Sequence, residues 1–119
     1  MTNDTSCSIH PYFKIQPGKL DAFKALADRF VERTRSEPGC YYYGFSFDGD
    51  EGHCREGYQN ARALLAHLTN VDDLVQQALS ISSLSRVEVH GPEAELEILR
   101  EPLAGLNPQF FTLEYGFRK

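Results

Sequence analysis

His67 follows Asn60 by seven residues, and Glu56 and Tyr58 stand two apart just ahead of them. Two helical turns bring Asn60 and His67 near one face, and a strand would point Glu56 and Tyr58 the same way. An imidazole titrates near pH ~6.5 when unperturbed, so it can take or give a proton at neutrality. A phenol hydroxyl and an amide can hold the atom it works on. This set of groups suits removal of a proton from an acidic O–H or C–H. His67 is the candidate proton acceptor, with Tyr58 and Asn60 orienting the substrate and His10, Tyr12, Tyr43 and Glu56 as further substrate contacts. A half-buried histidine bonded only to sheet or loop is the alternative.

The remaining reactive side chains point to less. His10, His53 and His90 fall on three different expected strands and could be neighbours, but the chain has no HxH or HxxxH pair. Three or four converging ligands are needed for a metal, so none is expected. Glu56, Glu88 and Glu114 are lone carboxylates in apolar strands. Burial would raise such a group's pKa, although pairing with Arg55 or Arg86 is the commoner fate. Cys7, Cys40 and Cys54 lack CxxC spacing and read as small buried thiols in a reducing compartment. No nucleophilic triad, phosphate-cradling glycine loop or glycosidase carboxylate pair is present.

Alternation marks a strand over 7–15, with Ile9, Phe13 and Ile15 opposite His10, Tyr12 and Lys14. Pro11 there donates no ladder bond and suggests an edge or a bulge. From Lys19 to Arg35 apolar residues recur at helical steps, and Pro38-Gly39 ends that helix. Strands are expected over 40–47 and 53–59, joined by the turn Asp48-Gly49-Asp50-Glu51-Gly52. Asn60 is a good N-cap for a short helix. Thr69 or Asn70 is expected to cap a second one, followed by a strand over 84–90, a helix over 93–101 and a last strand over 109–117.

The order is β-α-β-β-α-β, a ferredoxin-like α+β pattern with an antiparallel sheet, extended by a C-terminal helix and strand. Helices then cover one face of the sheet only. Tyr41 to Phe47 carries aromatics toward both faces, so a second copy is expected on the other face, as a dimeric α+β barrel. The terminal strand, exchanged between copies, is the element expected to reach across. The chain is read as one domain over 7–119, with a core over 7–90 and an extension over 91–119.

At 119 residues and a formal net charge of −5, the chain has no basic surplus for nucleic acid. Its N-terminal stretch lacks an apolar core segment, and no apolar run reaches the ~20 residues of a membrane helix. No signal peptide and no membrane association are expected, and the cytoplasm is the expected location.

Pro17-Gly18, Glu37-Pro38-Gly39-Cys40, Glu56-Gly57-Tyr58 and Ala66-His67, in that order and spacing, resemble the antibiotic biosynthesis monooxygenase (ABM) family. The resemblance covers roughly residues 7–90. It implies dimers and, in characterised members, oxygenation of small aromatic or quinol-like compounds without metal, flavin or other cofactor. It also admits a non-catalytic stress-associated or ligand-binding dimer on the same scaffold. A haem-degrading branch relies on a Trp and on an Asn from the first strand. This chain has neither, and Tyr58 stands about where the Trp is expected.

Overall fold

The computed structural model describes residues 2–119. The elements run β1 (Cys7–Ile15), α1 (Leu20–Thr34), β2 (Cys40–Asp48), β3 (Glu51–Tyr58), α2 (Ala61–Asn70), α3 (Asp72–Leu79), β4 (Ser82–Gly91), α4 (Glu93–Arg100) and β5 (Gln109–Thr112). A single 3-10 turn, Ala104–Leu106, separates the last two. The sheet order is β2-β3-β1-β4-β5, antiparallel throughout except for the parallel β4–β5 pair. The elements from β1 to β4 form the ferredoxin-like pattern, with its second helix split into α2 and α3.

One face of the sheet is the inner face. It presents Ile9, Phe13 and Ile15 of β1, Cys54 and Glu56 of β3, and Val87 and Val89 of β4. Against β1 and β4 lie Leu64 of α2 and Leu96 and Leu99 of α4. At the other end Phe23 and Phe30 of α1 and Leu74 and Ala78 of α3 close the core. Phe23 meets Phe13, Phe45 and Phe47 at centroid distances of 5.2, 6.3 and 6.1 Å, which accounts for the two phenylalanines of β2.

Of the two readings of Pro11, edge or bulge, the bulge holds, and three other sequence expectations change. β1 is central in the sheet. Its pairing with β3 lapses between Ile9 and Tyr12, and its register with β4 shifts at Tyr12/Phe13, so Pro11 is accommodated by an irregularity. Neither Thr69 nor Asn70 caps α3. Val71 holds that place without a side-chain bond, while the Asn70 amide donates to the Arg33 carbonyl at 3.3 Å and to Glu37 Oε2 at 2.8 Å. The last strand stops at Thr112, and within the single chain it extends its own sheet beside β4. Among the described residues Glu56 has no arginine partner; of the lone carboxylates only Glu88 pairs that way, with Arg86, and it also bonds His90.

Two contacts fix α2, the helix that carries His67. Asn60 accepts from the Ala63 amide at 2.9 Å, and Glu95 of α4 accepts from the Ala61 amide at 2.9 Å. The helix then comes down against the start of β2 at Gly39. A methyl group added there would stand 2.6 Å from Ala63 Cβ. Gly39→Ala is therefore expected to cost about 1–3 kcal/mol by overpacking, measured by urea denaturation. A variant as stable as the parent would show that α2 is free to shift.

Candidate active site

Between the sheet and the α2–α3 layer lies a cavity of about 60 Å³. Tyr43 of β2, Cys54 and Glu56 of β3, and His67 of α2 are its polar residues; aliphatic and Phe side chains, with Pro11, form the rest of the wall. Its volume is less than half of the ~150 Å³ that takes up a benzene ring, so a substrate must push part of the wall aside.

Glu56 is 5% exposed, and Tyr58, His67 and Cys54 are among its polar neighbours. The Tyr58 hydroxyl donates to its Oε1 at 2.5 Å, and His67 Nε2 lies 3.4 Å from the same oxygen. The other ring nitrogen, Nδ1, faces Glu37 at 2.9 and 3.1 Å from the two carboxylate oxygens. A carboxylate opposite Nδ1 favours the tautomer protonated there, which leaves the Nε2 lone pair facing Glu56. Glu37 is itself held by the Asn70 amide. The result is a chain of polar groups, Asn70–Glu37–His67–Glu56–Tyr58, running through an apolar core.

Burial sets the protonation of this chain. It lifts the Glu56 carboxyl from its ordinary value of 4.5 to about 7, and the Tyr58 hydrogen bond works against that rise. Burial also pulls His67 below its usual 6.5, opposed by Glu37. Near neutrality the carboxyl is thus poised between its two forms beside a neutral ring. Burial, and next the Glu56 charge, push the Tyr58 and Tyr43 hydroxyls up, so both remain donors. The Cys54 thiol is pushed up by the same two causes and stays protonated.

Of the residues expected to form the site, His67, Tyr58, Glu56 and Tyr43 come together. Tyr58 sits behind Glu56, fully buried, and holds the carboxyl instead of touching the cavity. Asn60 spends its side-chain oxygen on the helix cap and does not line the cavity. His10 and Tyr12 lie on the opposite face of the sheet, since Ile9, beside His10, is the β1 residue paired with Glu56. There the Tyr12 ring stacks on His53 at 4.3 Å, and His10 meets His90 edge-on at 4.8 Å. Among the described residues no three His, Cys, Asp or Glu side chains are grouped to hold a metal ion. Spacing does not single out Glu37 as a site residue, although its place in the loop before β2 puts it one layer from α2.

A family model described as antibiotic biosynthesis monooxygenase matches residues 8–73, more than half of the chain. MupZ from Pseudomonas fluorescens is 51% identical in sequence and superposes with a TM-score of 0.93, covering 98% of this chain and 91% of its own. Rv0793 from Mycobacterium tuberculosis is 29% identical with a TM-score of 0.64, covering 73% of this chain and 94% of its own. An uncharacterized Synechocystis protein is 40% identical over 57 residues; the match takes in 45% of this chain and only 39% of that longer protein. The matched span of this chain includes Glu37, Glu56, Tyr58 and His67. By sequence and by fold, the chain belongs to the antibiotic biosynthesis monooxygenase family.

Proposed function

We propose that this chain is a cofactor-independent monooxygenase that acts on a small aromatic or quinol-like compound through the Glu56–His67 pair. The observation that carries the reading is a buried carboxyl, lifted to about 7, at the wall of an apolar cavity with an imidazole nitrogen 3.4 Å away. In this reading the pair takes a proton from a substrate O–H or activated C–H, with His67 Nε2 as acceptor and Glu56 sharing the proton. Glu37 steadies the imidazolium that forms, and the Tyr43 hydroxyl, on the cavity wall, turns to hold the substrate oxygen. The electron-rich anion then reduces molecular oxygen. For a CH₂ oxidised to C=O, the substrate supplies all the electrons, one oxygen atom enters the product and the other leaves as water.

A second reading rests on the same carboxyl. Near pH 7 Glu56 is an acid as well as a base, so the pair can protonate one substrate atom while taking a proton from another. That serves a redox-neutral isomerisation or ring closure, with no oxygen consumed. In either case the working unit in this reading is a homodimer in the cytoplasm. Exposed Tyr42 and Phe111, with the Tyr12 and histidine rings beside them, supply the surface a second copy would cover.

Oxygen uptake with a panel of hydroquinones, followed for the parent and for His67→Ala, tests the proposal. Uptake that falls ~10²–10⁴-fold in the variant is the expected result. Substrate conversion without uptake selects the redox-neutral reading. Equal rates in the two proteins remove His67 from the chemistry, and binding without conversion leaves a ligand-binding dimer.

A further inference from the structure

The cavity has two unlike ends. Tyr43, Cys54, Glu56 and His67 belong to the β2–β3 side, whereas Leu84 and Val87 line it from β4 and Leu106 from the 3-10 turn of the C-terminal segment. The sheet order puts β1 between β3 and β4. Two strand spacings of ~4.8 Å therefore separate the ends, roughly 10 Å. Everything between Glu56 and Leu106 along the sheet is apolar: Ile9, Pro11 and Phe13 below, Leu68, Val71 and Val75 above. A ligand that fits has one polar head and an apolar tail directed at Leu106.

The family match spans residues 8–73, and Leu84, Val87 and Leu106 follow it in the chain. The parts of this end wall differ in how firmly they are held. Val87 is 5% exposed and built into the sheet, and Leu103, anchoring the turn, is 2% exposed. Leu106 is half-buried, one turn beyond that anchor, and its backbone is tied by the bonds Leu106 N–H to the Leu103 carbonyl and Asn107 N–H to the Ala104 carbonyl. Asn107 follows with a left-handed φ of 50°, which ends the turn there. Of the lining residues at this end Leu84 and Leu106 are half-buried, and of these Leu106 alone stands outside the sheet.

We propose that Leu106 is a specificity-determining residue: it forms the far wall of the substrate chamber and sets the length of apolar tail that fits behind a head group placed at Glu56 and His67. The inference rests on the reading of this cavity as the substrate site. Its test is binding, so that it does not depend on turnover. Affinities for 4-alkylphenols from ethyl to octyl are measured by calorimetry for the parent, Leu106→Ala, Leu106→Trp and Glu56→Gln. Kd is expected to fall about fourfold per added methylene until the tail meets the wall. That limit moves outward by roughly two carbons in Leu106→Ala, where the side chain is truncated, and inward in Leu106→Trp. Glu56→Gln weakens every member alike and leaves the limit in place. A limit at the same length in all four proteins overturns the role of Leu106 while the chamber reading stands. No binding of any member to parent or variants overturns both.

Discussion

Glu56→Gln lowers turnover by ~10²–10⁴-fold and leaves the fold intact. The substitution keeps the shape of the side chain. Its amide oxygen can still accept from the Tyr58 hydroxyl, which donates to Oε1 at 2.5 Å in the parent. Its amide N–H₂ can turn toward His67 Nε2, 3.4 Å from the carboxyl. What disappears is the proton that Glu56 binds and releases near pH 7, and with it the anion that shares a proton with the ring. The parent's rate is expected to bend near pH 7 as this carboxyl titrates, and the variant's profile to lose that bend. The check is a pH–rate profile of both proteins beside their far-UV circular dichroism. A variant with parental rates would make Glu56 a bystander.

The same substitution is expected to stabilise the protein at alkaline pH, by about 3 kcal/mol at most. A carboxyl whose folded pKa lies above its unfolded value binds its proton more tightly in the native state. The stability this lends is complete below 4.5 and is lost as pH rises through about 7. The size follows from about 1.36 kcal/mol for each tenfold gain in proton affinity. Glutamine does not titrate and escapes the loss. His67 works in the opposite sense: its folded value is depressed, so its contribution is present above its usual 6.5 and is lost on acidification. The two contributions therefore oppose one another between pH 4.5 and 6.5, and above 6.5 the Glu56 loss acts alone. Urea denaturation at pH 5 and pH 9 checks this. The gap between variant and parent should open in the variant's favour at the higher pH, and parallel pH curves would contradict it. A residue whose removal costs turnover and gains stability is the expected mark of a buried group kept for its chemistry.

Much of this arrangement is legible in residue types. Strand alternation puts Cys54, Glu56 and Tyr58 on one face of β3, and that face is the inner one. The cap at Asn60 locates α2, and helical spacing then turns His67 toward the sheet. The limits are equally particular. Aromatics on both sides of β2 give no means of choosing the face that holds the cavity. Only the register, with Ile9 opposite Glu56, sends His10 and Tyr12 to the other side. Asn60 cannot serve both as cap and as substrate ligand, because one side-chain oxygen carries both roles and the Ala63 amide occupies it.

The contact between Glu37 and His67 is hidden in the sequence for a related reason. Glu37 lies in the connection between α1 and β2, where no periodicity states a direction, and its contact with His67 joins residues thirty apart in sequence. Alternation alone overextends the final strand because Leu113, Tyr115 and Phe117 continue the pattern of β5, while ladder pairing with β4 ends at Thr112. Beyond that point Tyr115 and Phe117 are 79% and 82% exposed, apolar surface of the kind a second copy could cover.

The chemistry proposed for the site depends on a proton that resides on Glu56 near neutrality, inside the core and beside a neutral imidazole. The most direct measurement is a ¹³C NMR titration of the glutamate side-chain carboxyls, with Glu56→Gln identifying the resonance. The Glu56 signal is expected to titrate near pH 7. A midpoint in the ordinary glutamate range, close to 4.5, would contradict it.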